Sequence, residues 1–270
     1  MTTIPIITIF IILVTVFISF MGFKDETFFN KFMFHIDPIL GYKEYTRLLT
    51  SGFLHVDLPH LLFNMFSFYS FSAEIEKIYG IHFVIFIYFI SMIGGSLFSL
   101  SIHKIHPDYS AAGASGAVSG IIFASIFLLP GGSIGFFFIP ISIPAEIYGI
   151  LFIIISMYGI KSQKGNIGHE AHLGGALTGM LILLILAPKS INNNKILFTI
   201  ITTIITFFII YLFNNPVFMP SNFKNFSIKK KVYVYRNKNK KKKVIKNREK
   251  LKNDLNNLFE KAKEENPKDE

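Results

Sequence analysis

The sequence predicts an all-α, polytopic membrane protein, and three observations carry that expectation. Apolar residues make up 51% of the 270 positions, and a mean hydropathy of +0.48 is too high for an ordinary soluble domain of this length. Apolar segments recur along the first 213 residues, each near the roughly 20 residues that cross about 30 Å of hydrocarbon as a helix. Polar side chains sit at the edges of several segments, where lipid tolerates them only with partners or with work to do.

The first segment, Ile4 to Phe20, lacks a basic leader and a small-residue cleavage site, so it reads as a retained span rather than a signal peptide. Residues 21–57 form a long polar-aromatic connection. The remaining spans are Leu58–Ala73, Ile81–Ile102, Ala111–Leu129, Ala145–Ile160, Ala171–Leu186 and Ile196–Phe213. Two are short, which suits helices that end inside a protein-walled cavity. Pro130-Gly131-Gly132 and the stretch from Pro140 to Pro144 break helices where a connection is needed. No internal repeat is visible. The expected division is a membrane domain over 1–214, with its core at about 40–187, and a basic, disordered tail over 215–270.

Charge follows that division. Residues 222–270 hold seventeen Lys/Arg against seven Asp/Glu, so the whole net charge of +10 belongs to the tail. A run such as Lys240-Lys241-Lys242-Lys243 suits anionic lipid head groups, at about 1 kcal/mol per basic residue near the surface. An inert, solvated tail is the bland alternative. No folded nucleic-acid module surrounds the run, which disfavours nucleic acid as a partner. The absence of Cys excludes disulfides, thiolate metal sites and a Cys nucleophile. With no Trp beside 31 Phe, Tyr must anchor the spans at the interface.

Three polar motifs then stand out. Gly113-Ala114-Ser115-Gly116 opens one apolar run. At a helix start, free backbone N–H groups and the positive dipole end favour an anion forming beside Ser115. Taken alone, small residues at a membrane helix contact would be the better explanation of this motif. His172, in Ala171-His172-Leu173-Gly174-Gly175, is an ionisable group at a span's edge and so a functional candidate. Ala171, Gly175 and Gly179 form a small-residue ridge, and Gly116 with Gly120 offers another. Two such ridges let helix axes approach closely enough for an imidazole to reach the serine. His60 and Asn64 project at i and i+4 from one helix face. They are candidate donors to the oxyanion of amide hydrolysis, or a pair that bonds only to itself.

Together these motifs, within residues 40–185, resemble the rhomboid family of intramembrane serine proteases. The resemblance implies a six-helix core, here with Ile196–Phe213 as a seventh, carboxy-terminal span. It implies Ser115 as nucleophile and His172 as general base and then acid, without an acidic third member. It also implies His60, Asn64 and the serine's own N–H as the oxyanion site, with no cofactor and no metal. The partners implied are the lipid bilayer and transmembrane protein substrates with helix-destabilising residues and a small side chain before the cut. Arg47, in Arg47-Leu48-Leu49-Thr50, is implied to brace the first loop. The acidic stretch Glu74-Ile75-Glu76 is implied to hold a helix end, and His55 to organise a loop. Two departures are visible: Tyr45 lies two residues before Arg47 where Trp commonly sits beside the Arg, and Ser119 replaces a ring that often stacks on the catalytic His. His172 then needs another orienter.

Three rival readings compete with this one. His169-Glu170-Ala171-His172 suggests a zinc protease, but its His pair is spaced i, i+3 and the zincin helix needs i, i+4. A small-solute transporter lacks the paired broken helices it would need. The chief alternative is a rhomboid-like pseudoenzyme that binds membrane-protein clients without cutting. The expected location is the cell (plasma) membrane. The family's usual orientation conflicts with the positive-inside tendency. It places Lys24, Lys31, Lys43, Arg47, Lys104, Lys161 and Lys164 outside and only Lys77, Lys189 and Lys195 inside.

Overall fold

The computed structural model of the chain describes residues 4–136, 139–162 and 168–214. The basic tail over 215–270 lies outside the described residues, as do the acidic and basic groups within it. In chain order the elements begin with α1 (Ile6–Lys24), α2 (Glu26–Phe32), β1 (Phe34–His35), α3 (Ile36–Tyr42) and α4 (Arg47–Thr50). A 3-10 turn at Ser51–Phe53 follows, then α5 (Leu58–Tyr79), α6 (Ile81–His103), β2 (Ser110–Ala111) and α7 (Ser115–Leu128). The chain continues with β3 (Ser133–Phe136), β4 (Ile139–Pro144), α8 (Ala145–Ser162), α9 (His169–Leu186), α10 (Pro188–Asn193) and α11 (Lys195–Asn214).

Each apolar segment of the sequence corresponds to one helix. Among the described residues, α1, α6, α9 and the Lys195–Leu212 stretch of α11 are long and apolar enough to cross a membrane, and α7 and α8 are shorter apolar helices. Burial runs opposite to that of a soluble helix. The inward stripe of α1 is Thr8, Ile11, Thr15, Ser19 and Gly22, while Phe10, Leu13 and Phe17 are exposed. Lipid accepts the apolar face, so small and weakly polar residues are free to make the helix contacts. α7 is the central helix: every residue from Gly116 to Leu128 is buried. Its 14 residues reach only about 21 Å, so it cannot span about 30 Å of hydrocarbon alone.

Two details of the connections differ from the sequence expectation. The helix break after α7 contains a pair of antiparallel strands, with Ser133 opposite Pro144 and Ile134 opposite Ile143. The stretch before α5 is not featureless either. Arg47 is buried and its guanidinium donates to the Asn30 and Met33 carbonyls at 2.8 and 2.9 Å, and to Glu44 at 2.7 Å. One side chain thereby pins α2, the turn before β1 and α4 together. β1 pairs antiparallel with β2, tying this first connection to the segment leading into α7. At the far end of the bundle, Glu76 on α5 accepts the Ile7 and Thr8 backbone N–H groups at 2.9 and 2.8 Å. It thus satisfies donors that the start of α1 would otherwise leave orphaned.

Candidate active site

Ser115 is the first residue of α7, and the turn before it is held from three directions. Gly113 donates its N–H to the Ser51 carbonyl at 3.1 Å. Its φ of 148° is a backbone conformation that L side chains rarely adopt. A Cβ there would also lie 2.8 Å from the His60 ring, so the first glycine of the motif is required twice over. Ala114 donates its N–H to His55 Nε2 at 3.4 Å.

His55 is a coupler. Its Nδ1 lies 2.9 Å from Ser19 Oγ on α1, and the Ser19 proton goes to the Phe53 carbonyl at 3.0 Å. A hydroxyl has one proton, so Ser19 accepts from Nδ1–H while Nε2 accepts from Ala114. Burial, with His60 close by, pushes the His55 imidazole down to about 3. In the unfolded chain it titrates near 6.5. The folded value is the depressed one, so the associated stability is fully present above about pH 6.5 and is lost as pH falls toward 3. The slope approaches about 1.4 kcal/mol per pH unit. Thermal unfolding in detergent from pH 8 to 4 should therefore show acid destabilisation beginning near 6.5. His55→Asn should be less stable at neutral pH, with a shallower acid slope. An unchanged slope would remove His55 from this account.

His60 and Asn64 rise from the first turns of α5, whose N-cap Asp57 accepts the His60 N–H at 2.8 Å. The His60 ring stands edge-on to His55, with centroids 5.0 Å apart at 73°. His60 Nε2 and Ser115 Oγ lie 3.1 and 3.8 Å from the point where a Gly113 Cβ would be. The fold thus brings this histidine beside the serine, across a glycine. His60 Nδ1 is buried without a hydrogen-bond partner. Asn64 is buried, and its Nδ2 donates to the His60 backbone carbonyl at 3.0 Å. The two residues are therefore linked through the main chain.

His172 lies in the first turn of α9 and is buried. Its Nδ1 is 3.1 Å from Ser156 Oγ on α8, and its ring rests 5.1 Å from Phe152 at 33°. Its Nε2 is buried with no hydrogen-bond partner. Among the described residues, no hydrogen bond joins Ser115 to His172. Their neighbours are nevertheless in backbone contact: a Cβ on Gly116 would lie 3.2 Å from the Ala171 carbonyl oxygen. A Cβ on Gly175 would lie 3.0 Å from Gly116 Cα, and one on Gly179 would lie 2.7 Å from Gly120 Cα. The sequence ridges are real, but the seam has a third member. Gly94 and Gly95 of α6 press on α9, within 3.0 Å of the position of a Gly174 Cβ.

Ser119, the residue in place of a stacking ring, donates to the Ser115 carbonyl at 2.6 Å. The groups that do hold His172, Ser156 and Phe152, were not singled out in the sequence. Their signal is weak: a lone Ser in the apolar run Ile153-Ile154-Ile155-Ser156-Met157. Glu170, the acid of the rejected zinc motif, has other partners. Tyr109 Oη donates to Glu170 Oε2 at 3.1 Å, and His103 Nε2 lies 3.0 Å from Oε1, an ion-pair distance. The Tyr109 ring stacks on His103 at 3.6 Å, and burial together with Glu170 raises the Tyr109 phenol above its usual range.

A bundle of lipid-facing helices enclosing Ser, His and Asn side chains defines an integral membrane protein with a polar interior site. Residues 42–189 match the family model of the Rhomboid domain, and the chain belongs to the rhomboid family. It is also 33% identical over 181 residues to RHOMBOID-like protein 12, mitochondrial, of Arabidopsis thaliana. That alignment covers 60% of this chain and 52% of the relative, so the chain spans about half the length of the curated relative it matches. The relative's name places that protein in mitochondria. The expectation of a plasma-membrane location therefore finds no support, while the integral-membrane character stands.

Proposed function

We propose that the chain is an intramembrane serine endopeptidase, a hydrolase that cuts peptide bonds in or beside transmembrane segments of other membrane proteins. The observation that carries the proposal is that His60 Nε2 and Ser115 Oγ lie 3.1 and 3.8 Å from one point beside Gly113, with a buried, unpartnered His172 Nε2 across the glycine seam. In this reading His172 Nε2 takes the Ser115 proton as Oγ attacks the carbonyl carbon, then returns it to the leaving amine. The backbone N–H at the start of α7, His60 and Asn64 face the tetrahedral oxyanion. Water repeats the cycle to release the acyl group. Serine–base hydrogen bonds are often long in an apo site and tighten around substrate. The basic tail serves as a contact for anionic lipid.

One observation favours the rival, client binding without cleavage: the missing Ser115–His172 hydrogen bond. Fluorophosphonate labelling in detergent, with the adduct mapped by peptide mass spectrometry, separates the two. Labelling of Ser115 together with cleavage of a transmembrane reporter is expected. A protein that retains clients but neither labels nor cuts would establish the rival. Asn64→Ala should slow reporter cleavage by roughly ten- to a thousandfold, as for a lost oxyanion donor. It should still allow the probe to label Ser115. Wild-type turnover in that variant would make Asn64 a purely structural residue.

A further inference from the structure

In the reading above His172 acts as base through Nε2, which then needs a bare lone pair, and a neutral imidazole can carry its proton on either side. Ser156 decides between them. Its hydroxyl has one proton, which is donated to the Phe152 carbonyl at 2.8 Å. Toward His172 it therefore offers only lone pairs, and the 3.1 Å contact requires Nδ1–H as donor. Nε2 is left without a proton, buried and unpartnered.

We propose that Ser156 is a positioning residue that fixes His172 in the Nδ1–H tautomer, with Phe152 holding the ring plane from one turn earlier on the same helix. The assignment rests on the Ser115–His172 reading above and extends it. The sequence lacks the stacking ring at Ser119, and α8 supplies the orientation instead, through a hydroxyl and a phenyl face. Outer partners of working histidines have this effect elsewhere, because the hydrogen bond on one nitrogen sets what the other can do. The competing account makes Ser156 an ordinary helix hydroxyl that bonds its own preceding turn. On that account removing it leaves the imidazole unchanged.

The test is the 15N spectrum of histidine-labelled full-length protein in detergent, with the His172 signals assigned by their loss in His172→Gln. The wild type should show a protonated Nδ1 and an unprotonated Nε2. Ser156→Ala should shift His172 toward a mixture of tautomers and lower kcat for a transmembrane reporter by roughly ten- to a hundredfold, with KM unchanged. Ser156→Thr, which keeps the hydroxyl, should restore the wild-type spectrum. An unchanged tautomer in Ser156→Ala would overturn the assignment, as would wild-type kcat. The spectrum needs no turnover, so it remains decisive even if Ser115 never labels, an outcome that would defeat the protease reading alone.

Discussion

Ser115→Ala should abolish cleavage of a transmembrane reporter while leaving the bundle folded, because it removes one hydroxyl and almost no volume. His172→Ala should do the same, and the double variant should cleave no more slowly than either single one. Residues that act as a unit are grossly non-additive, since losing either already forfeits what the pair supplies. Independent contributions would instead multiply the two losses. The measurement is reporter cleavage in reconstituted liposomes for all three variants, normalised to folded protein by thermal melting. Substantial turnover by Ser115→Ala would sink the serine-protease assignment outright.

Gly175→Ala is the second large effect, produced by a single methyl. The added Cβ would overlap the Gly116 carbonyl oxygen and sit 3.0 Å from Gly116 Cα. Backbone cannot swing aside as a side chain can, so α7 and α9 must part. Overpacking of this kind typically costs 1–3 kcal/mol. A shift of about 1 Å between reacting groups can cost on the order of 10²-fold in rate. Activity should therefore fall much further than melting temperature. Gly168→Ala is the control. Its φ of −76° suits any residue, and its Cβ would meet nothing closer than 3.4 Å. It should leave both quantities near wild type, and Gly175→Leu should be worse than Gly175→Ala. Full activity in Gly175→Ala would mean that the close approach does not build the site.

The helices were legible because lipid imposes a simple demand: a span must be apolar for most of its length, and each of the apolar runs became a helix. The motifs at Ser115, His172, His60 and Asn64 were legible because polar groups stand out against such runs. What escaped depends on contacts between distant segments. The pairing of β3 with β4 read only as a helix break, since a proline-bearing six-residue stretch carries little periodicity. Gly94 and Gly95 are plain in the sequence, yet nothing local says which helix they face. Ser156 is one hydroxyl in a run of isoleucines, and only the folded partner at His172 gives it meaning. The brace by Arg47 and the bond from the Ala114 N–H to His55 fit the roles that the resemblance implied, although the partners of Arg47, the carbonyls of Asn30 and Met33, could not be read from spacing.

The bond from Glu76 to the first turn of α1 has a consequence for assembly. The carboxyl group is buried and both its oxygens are committed to Ile7 and Thr8, on a helix that is complete long before α5 is synthesised. Until α1 is beside it, Glu76 is an acidic group at a membrane helix with no partner, a costly state in hydrocarbon. The Thr8 hydroxyl meets Ser72 at 3.0 Å on the same pair of helices, so registry and partner are chosen together. Packing α1 against α5 therefore satisfies the Glu76 carboxylate and the first-turn N–H groups of α1 in one step. One acidic side chain thus couples two segments almost seventy residues apart, so that neither helix end is complete without the other.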